Sequence, residues 1–436
     1  MDDSSKTTNP KESQSPRRQR EPIGEIFTRD FLILSIINLS VFFGFQMLNV
    51  GLPVYMAQLG ATSQVVGLAT TVMTVAATFM RVFAGALLDR FGRWGMLIGG
   101  TAIIACAIAS FAIFPIVGVI LGLRVLHGIG WGMGSTASST IAADIIPKHR
   151  FAEGMGYFAL TTSISSAIAP AASIAITQGA GAVYMLFVAV GVTVLALVLA
   201  IVETLLARKK GGAPARPEVL DGGTRDSAEA PAEPHADGTQ PSRSKIETLF
   251  ERRAVLPGLL MFLVNIGFGC ITTFIALHAG PENADGVSLY FLVYAIATLV
   301  SRPYIGKLID RYGYRIPAIS STLCTAGTLA LIGVSSNAPM FAAAGVLGGL
   351  GIGTAMGTFQ AMAVASVEPW RRGVATSTYM TAFDLGIAVG ALTGGIVADL
   401  AGYTAMYFAV ALLPIVACAI SAAMVKKESG RSAKEA

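Results

Sequence analysis

A charged twelve-residue segment occurs twice in this chain, each time between two long apolar stretches. The first copy, RVFAGALLDRFG at residues 81–92, returns as RPYIGKLIDRYG at residues 302–313, so that corresponding residues lie 221 positions apart. A repeat at one constant offset indicates that half of the chain was duplicated. Duplicated apolar halves are typical of two-lobed membrane transporters. The repeat therefore predicts two similar lobes embedded in a bilayer.

The composition favours a membrane protein over a soluble domain. Hydrophobic residues make up 53% of the 436 residues and charged residues only 13%, with a mean hydropathy of +0.65, whereas soluble domains carry about 25% charged residues. The four cysteines all fall in apolar segments without paired spacing, so we expect neither a disulfide framework nor a metal site. We expect no cofactor either.

Twelve apolar runs follow one another along the chain, and a transmembrane helix needs about 20 such residues. They predict an all-α membrane protein with twelve transmembrane helices in two pseudo-symmetric six-helix bundles. The predicted spans, numbered one to twelve, are residues 31–56, 65–88, 96–114, 117–143, 154–177, 183–206, 255–279, 288–309, 316–334, 338–366, 374–398 and 404–425.

The basic residues predict which loops face the cytoplasm. Every second connection along the chain contains Lys or Arg, as at Arg90, Arg150, Arg311 and Arg371, and so do both tails. Such residues accumulate in cytoplasmic loops. Both termini are therefore expected in the cytoplasm, and the net charge of +5 does not indicate nucleic-acid binding. One alternating set of connections has no Lys or Arg: residues 57–64, 115–116, 178–182, 280–287, 335–337 and 399–403.

Polar segments divide the chain into five parts. Residues 1–30 lack the apolar core of a signal peptide and are expected to be a disordered cytoplasmic tail. Residues 207–253 are rich in Gly, Pro, Ala and acids, which is the composition of a cytoplasmic linker. The expected six-helix bundles occupy residues 31–206 and 254–425, and residues 426–436 form a cytoplasmic tail.

The loop between spans two and three carries a recognisable signature. Residues 85–94, GALLDRFGRW, resemble the G-x-L-x-D-R-x-G-R-[RK] signature of the major facilitator superfamily, except that Trp94 replaces the last basic residue. The resemblance extends over residues 31–425 and implies alternating access between two bundles. In that superfamily the loop is a conformational latch. The resemblance implies this role for Gly85, Asp89, Arg90, Gly92 and Arg93, and for Gly306, Asp310, Arg311 and Gly313 of the second copy.

Span four contains a second signature. Residues 124–132, RVLHGIGWG, resemble the R-x-x-q-G-x-g pattern of the superfamily, with His127 where Gln is common. Small residues at this spacing permit close helix packing. Because a charge within the bilayer is costly, Arg124 is expected to have a function rather than a purely structural ion pair. His127 is either a proton relay or a packed, neutral side chain.

A third signature involves spans five and eleven. Residues 169–173, APAAS, and residues 390–395, GALTGG, each keep part of a G-P-x-x-G-G element found in antiporters of the superfamily. Proline and small residues allow a helix to bend, and in the superfamily the element is associated with export. The resemblance implies a helix-bending role for Pro170, Ser173, Gly390, Gly394 and Gly395.

Asp384 is an acidic residue near the predicted bilayer centre in span eleven. Arg124 lies at a similar depth when residues are counted from the opposite face, which suggests a carboxylate facing a cationic partner. Asp384, Arg124 and His127 are thus the proton-coupling candidates, with a structural salt bridge as the alternative. Arg81 and Arg302 are interpreted as gating or structural residues that snorkel or bond the opposite half.

Spans one, seven and ten line the cavity in the superfamily, so their polar and aromatic residues are candidates to bind a substrate. Such a pocket suits an amphipathic organic molecule, although the aromatic residues are equally consistent with helix packing. The candidates are Asn38, Phe42, Gln46, Asn49, Asn265, Phe268 and Gln360.

These patterns predict proton-coupled export of a small organic compound, such as a drug-like molecule, a sugar or a metabolite. The alternative is a proton-coupled importer of a sugar or organic acid; a membrane enzyme or receptor is disfavoured, because no catalytic triad, metal-ligand cluster or phosphate loop is present in the sequence. The expected partners are the substrate, protons and the lipid bilayer, and the expected form is a monomer in the plasma (inner) membrane.

Overall fold

The first half of the chain folds into six long helices. The computed structural model describes residues 25–209, 251–368 and 371–435. Most of the predicted N-terminal tail and of the linker at 207–253 lies outside the described residues. The helices are α1 (Arg29–Gln58), α2 (Ser63–Phe91), α3 (Arg93–Ile113), α4 (Val117–Ile145), α5 (Phe151–Gly179) and α6 (Ala182–Lys209).

The second half repeats this arrangement with two irregularities. The tenth span is α10 and α11 joined by a π-helical turn, and α12 contains the last two spans. The elements are α7 (Arg252–Ala279), α8 (Ala284–Tyr312), α9 (Arg315–Val334), α10 (Ala338–Gly348), the turn at Gly349–Gly353, α11 (Thr354–Ala365) and α12 (Arg372–Glu435).

Within the described residues, eleven stretches are long and apolar enough to cross a membrane. The last of them, Val374–Ala423, has 50 residues, and Gly402 breaks its helical backbone with φ of +84°. Because one crossing needs about 20 residues, this stretch supplies two crossings. The predicted twelve spans in two six-helix bundles are therefore confirmed.

The glycines of span four let helices of the first half approach closely. A Cβ on Gly132 would lie 2.7 Å from the carbonyl oxygen of Ala77, and a Cβ on Gly128 would lie still closer to the carbonyl oxygen of Met73. Any larger residue would push α4 away from α2. The expected close packing at these glycines is confirmed.

The equivalent glycines of the second half make the equivalent contacts. A Cβ on Gly349 would lie 2.6 Å from the carbonyl oxygen of Tyr294, and one on Gly353 would lie 2.8 Å from Thr298. Tyr294 and Thr298 are 221 positions after Met73 and Ala77. The sequence duplication is thus also a duplication of packing.

The two halves meet along two antiparallel helix pairs, and α1 also contacts α7. Helix α2 packs against the eleventh span, and α5 packs against α8. We call the face that bears the connections without Lys or Arg the non-basic face, and the opposite one the basic face. Hydrogen bonds join the halves from the non-basic face to the middle of the bilayer, as at Ser63–Asp399 and Thr71–Ala388.

Candidate functional site

An ion pair at mid-membrane joins the two halves. Asp384 of the eleventh span pairs through Oδ2 with the guanidinium of Arg81 on α2. Thr78, one turn before Arg81, donates its hydroxyl to the same oxygen at 3.1 Å. The side chain of Asp384 is only 14% exposed, and roughly 18 Å of helix separate it from Arg372 at the start of α12. A charged contact in this position ties the halves together.

The cation that pairs with Asp384 is Arg81, so the expected pairing with Arg124 was wrong. Arg124 is 2% exposed and donates from Nε to the carbonyl oxygen of Ala69 at 3.1 Å. Among the residues that the structure describes, no carboxylate pairs with it. Arg124 therefore holds α4 to α2 within one half. Arg81, expected to gate or to bond the opposite half, does bond it.

His127 is packed inside the first half. Its Nδ1 lies 3.2 Å from Nη1 of Arg124. Arginine has no acceptor, so Nδ1 accepts this hydrogen bond and the imidazole carries its proton on Nε2. Nε2 has no partner in the described part of the chain, and the rings of Phe45 and Phe111 lie beside the imidazole. The geometry is that of the packed, neutral alternative.

The ion pair has no counterpart at the second interface between the halves. Arg302 is the duplicate of Arg81, but the residue equivalent to Asp384 is Ser163. In the described regions no carboxylate pairs with Arg302. One of the two related interfaces therefore has an ion pair at its centre, and the described part of the other has none.

The predicted cavity residues divide into accessible and inaccessible groups. Asn38 is 2% exposed, and its amide group bonds Thr161 at 2.7 Å and Ser138 at 3.0 Å. Asn265 is fully buried and donates to the carbonyl oxygen of Phe383. Both amides serve the packing of their own half in this conformation.

A second set of these residues is partly exposed and forms a polar and aromatic surface. Gln46 donates to Ser166 at 2.8 Å and accepts from Asn49 at 3.0 Å. Phe45 stacks on Trp131 with 3.7 Å between ring centroids, and Phe42 meets the same indole edge-on at 4.7 Å. In the second half of the chain, Phe268 stacks on Tyr294, and Gln360 is partly exposed.

The predicted latch loop is a very tight turn. Gly92, with φ of +71°, is the only residue between α2 and α3, and Gly313 has φ of +66° at the equivalent place. Arg93 forms an ion pair with Asp144 of α4, within the first half. Asp89, Arg90 and Arg311 are exposed, as are Gly85 and Gly306, whereas the side chain of Asp310 lies outside the described part. The latch role stays a prediction.

The predicted helix-bending residues lie at close helix contacts. Ser173, one turn after Pro170 in α5, donates to the carbonyl oxygen of Met47 at 2.9 Å. A Cβ on Gly394 would lie 2.6 Å from Sγ of Cys270, and Gly390 packs on the backbone of α7. Gly395 packs on the backbone of α2 in the other half. Their role in bending stays a prediction.

Several of these contacts carry little signal in the sequence. Thr78 and Arg81 lie on one face of α2, and Arg81 was expected to gate, snorkel or bond the opposite half, but nothing in the sequence indicates Asp384 as the partner. Asp399, which bonds the start of α2, is a single acid in the predicted connection at residues 399–403. Nothing in its sequence context indicates a partner 336 positions away at Ser63.

The fold and the charged interface at its centre define a multi-pass membrane transporter. The family profile described as Major Facilitator Superfamily matches residues 34–282 and 258–436. The chain belongs to that superfamily, which confirms the resemblance seen in the signatures.

Three curated relatives are similar over most of their length. The staphylopine export protein of Staphylococcus aureus is 24% identical over 92% of this chain and 97% of its own. An uncharacterized transporter of the superfamily, YhhS of Escherichia coli, is 24% identical over 93% and 96%. YddS of Bacillus subtilis, also uncharacterized, is 27% identical over 88% of each chain.

Solved structures share the fold. The nucleoside transporter NupG superposes with a TM-score of 0.70 at 15% identity, over 92% of this chain and all of its own. A POT family transporter in complex with 5-aminolevulinic acid gives 0.67 at 14% identity, over 92% and 96%. At these identities the likeness concerns the fold alone. The relatives and fold neighbours are transporters, not enzymes.

Proposed function

We propose that this protein is a proton-coupled exporter of a small, amphipathic organic compound, working by alternating access. The observation that carries the proposal is the ion pair of Asp384 with Arg81 across the two halves. An ionised Asp384 attracts Arg81 and holds α2 to the eleventh span. Protonation removes the negative charge and with it most of this attraction, so that proton binding is linked to the separation of the halves.

The direction of transport is supported by two observations. The relative from Staphylococcus aureus is an export protein by name. The element of Pro170, Ser173, Gly390, Gly394 and Gly395 resembles the one that the superfamily associates with export. In this direction a proton enters from the non-basic face as the substrate leaves, which is antiport.

The accessible cavity residues support the substrate class. Stacked rings such as Phe45 on Trp131 supply apolar contact area, while Gln46 and Asn49 supply an amide network. A few placed polar groups among aromatic rings suit organic molecules rather than inorganic ions. Drug-like molecules, sugars and metabolites all belong to this class.

The proposed setting is the plasma membrane, with the basic face and both termini in the cytoplasm. The positive-inside rule supports this orientation. Both bundles belong to one chain, so a monomer contains the complete cavity. The latch loop on the basic face would then control opening towards the cytoplasm.

Replacement of Asp384 tests the proposal. A growth-inhibition and efflux panel, run with and without a protonophore, first identifies a transported compound. In proteoliposomes with an internal pH dye, we expect Asp384→Asn to abolish substrate-dependent proton movement and transport driven by a pH gradient. The amide keeps the size of the carboxyl group but cannot bind and release the proton.

Asp285→Asn is the matched control. It makes the same change at an exposed carboxyl group in the first turn of α8, and we expect wild-type coupling. If the Asp384→Asn protein kept full pH-dependent transport, the coupling role of Asp384 would be refuted. Transport in the wild type without any proton movement would refute proton coupling as a whole.

A further inference from the structure

The start of α2 is bound by a carboxylate from the opposite half of the molecule. Asp399 accepts from the backbone N–H of Ser63 through Oδ1 and from that of Gln64 through Oδ2, both at 2.8 Å. The hydroxyl of Ser63 also lies 3.0 Å from that of Tyr403. The first N–H groups of a helix have no partner within it, so this carboxylate satisfies two of them.

The other donors at this helix start are satisfied locally. Thr62 accepts from the N–H of Val65 through its side chain and from that of Val66 through its carbonyl. Without Asp399, the N–H groups of Ser63 and Gln64 would turn to water. The positive end of the helix dipole adds attraction for the carboxylate.

The two halves are also in close backbone contact around this point. Gly395, one turn before Asp399, packs on the carbonyl oxygen of Ser63, and Gly67 packs on that of Ala391. Separation of the helices at the non-basic face must break the two bonds of Asp399. The contact is therefore available only in the conformation closed on this face.

The second interface has a weaker contact at the equivalent position. Gln178 lies 221 positions before Asp399, and its Nε2 donates to the carbonyl oxygen of Pro281 in the other half at 2.8 Å. Here a neutral amide makes one hydrogen bond, whereas Asp399 makes two with its charge. Charge-assisted hydrogen bonds are roughly twice as strong as neutral ones.

We propose that Asp399 and the N–H groups of Ser63 and Gln64 form a clamp that holds the non-basic face closed and sets how often it opens. We call this contact the Asp399 clamp. The inference rests on the alternating access proposed above. It assigns to the non-basic face a helix-terminus contact of its own, separate from the loop at residues 85–93 on the basic face.

A distance measurement across the non-basic face tests the clamp. Spin labels at Ile116→Cys and Ser336→Cys place one probe on an exposed loop of each half, away from the clamp. The four native cysteines are replaced first, and the labelled protein is studied in lipid nanodiscs by double electron–electron resonance. Alternating access predicts a short and a long distance population.

Asp399→Ala removes both hydrogen bonds of the clamp and is expected to raise the ratio of long to short distances at least about ten-fold, the change that the loss of one charge-assisted hydrogen bond would produce. Asp285→Ala is the matched control. It neutralises an exposed acid on the same face, at the start of α8, and should leave the ratio unchanged.

A second pair of variants removes a donor and keeps Asp399. Ser63→Pro deletes one N–H at the first position of α2, where proline is well tolerated. Thr62 already has the extended backbone that precedes a proline, with ψ of 161°. Ser63→Ala keeps the N–H but loses the hydroxyl. We expect a larger long-distance population in the proline variant than in the alanine variant.

The outcomes separate the clamp from the proposed function. An unchanged ratio in Asp399→Ala, beside a wild type that shows both populations, would overturn the clamp alone. A wild type confined to one distance at every pH and with every substrate would overturn alternating access. In that case the clamp still requires Asp399→Ala to lengthen the distance, and an unmoved distance would overturn it too.

Discussion

Individual polar residues determine which helix contacts join the two halves of this protein and which contacts lie within one half. Arg81 and Arg124 both lie in apolar helices, yet one bonds across the interface and the other bonds within its own half. A buried cation needs an acceptor, and a carbonyl such as that of Ala69 satisfies part of that need without a counter-charge. The residue type alone therefore does not reveal which cation bonds across the interface.

A reversal of the ion pair measures its strength. Arg81→Asp places two carboxyl groups together, and Asp384→Arg places two guanidinium groups together, so each should lower the midpoint of thermal unfolding. The double variant restores opposite charges. We expect a coupling free energy of about 1–2 kcal/mol, since Arg81 is partly exposed and solvent screens the pair.

The measurement uses a thiol-reactive dye in detergent on protein whose other three cysteines have been replaced, because Cys106 is exposed whereas Cys270 is fully buried and reacts only on unfolding. The same reversal between Arg124 and Asp384 is the control, and it should show no recovery in the double variant. Simple addition of the two single effects at Arg81 and Asp384 would contradict the pair.

The sequence predicted the carboxylate but not its partner. Asp384 was predicted from depth alone, because an acid at mid-membrane is costly and needs a function. Depth does not fix the direction in which a side chain points around its helix, and each residue turns that direction by about 100°. Arg124 matches Asp384 in depth yet points into its own half. Arg81 points across the interface.

At the scale of helices, close backbone contacts set the geometry. Gly128 and Gly349 occupy equivalent places and each packs on a carbonyl of the neighbouring helix. The sequence predicted this from the spacing of small residues and gave the helix positions within a few residues. It also predicted the break between spans eleven and twelve, where Gly402 leaves the helical backbone. It did not predict the π-helical turn at Gly349–Gly353, because that turn depends on backbone geometry that the hydrophobic pattern does not contain.

Enlargement of one of these glycines tests the packing. Gly128→Ala adds a methyl group against the carbonyl of Met73, so α4 and α2 must separate; overpacking of this kind costs about 1–3 kcal/mol. Gly122→Ala on the same helix is the control, because its Cβ would meet nothing within 4 Å. We expect a lower unfolding midpoint for Gly128→Ala only, and equal midpoints would contradict the contact.

At the scale of the whole molecule, the chain is two related bundles joined by a segment of linker composition. The bundles were predictable because apolar length and internal repetition leave few alternatives in a membrane. The face on which the halves touch was not, since it depends on contacts such as that of Asp399 with Ser63, from residues far apart in sequence.

The linker is expected to be dispensable for transport. Its composition, rich in Gly, Pro and acids, indicates a tether without apolar packing. Removal of about ten residues from 211–242 should leave efflux near the wild-type rate when the basic ends at 208–210 and 252–253 remain. Efflux assays at matched expression measure this rate. A deletion variant that inserts normally into the membrane but shows no efflux would show that the segment acts on the transporter.

The uneven charge of the two interfaces has a mechanical consequence. Asp384 lies at the interface between α2 and the eleventh span, whereas the equivalent position at the α5–α8 interface is Ser163. Under the proposed coupling, a proton on Asp384 would weaken the contact at one edge of the molecule and leave the opposite edge unchanged. We expect the two lobes to rotate apart about an axis along the α5–α8 interface, so that the interface between α2 and the eleventh span opens more than the α5–α8 interface does.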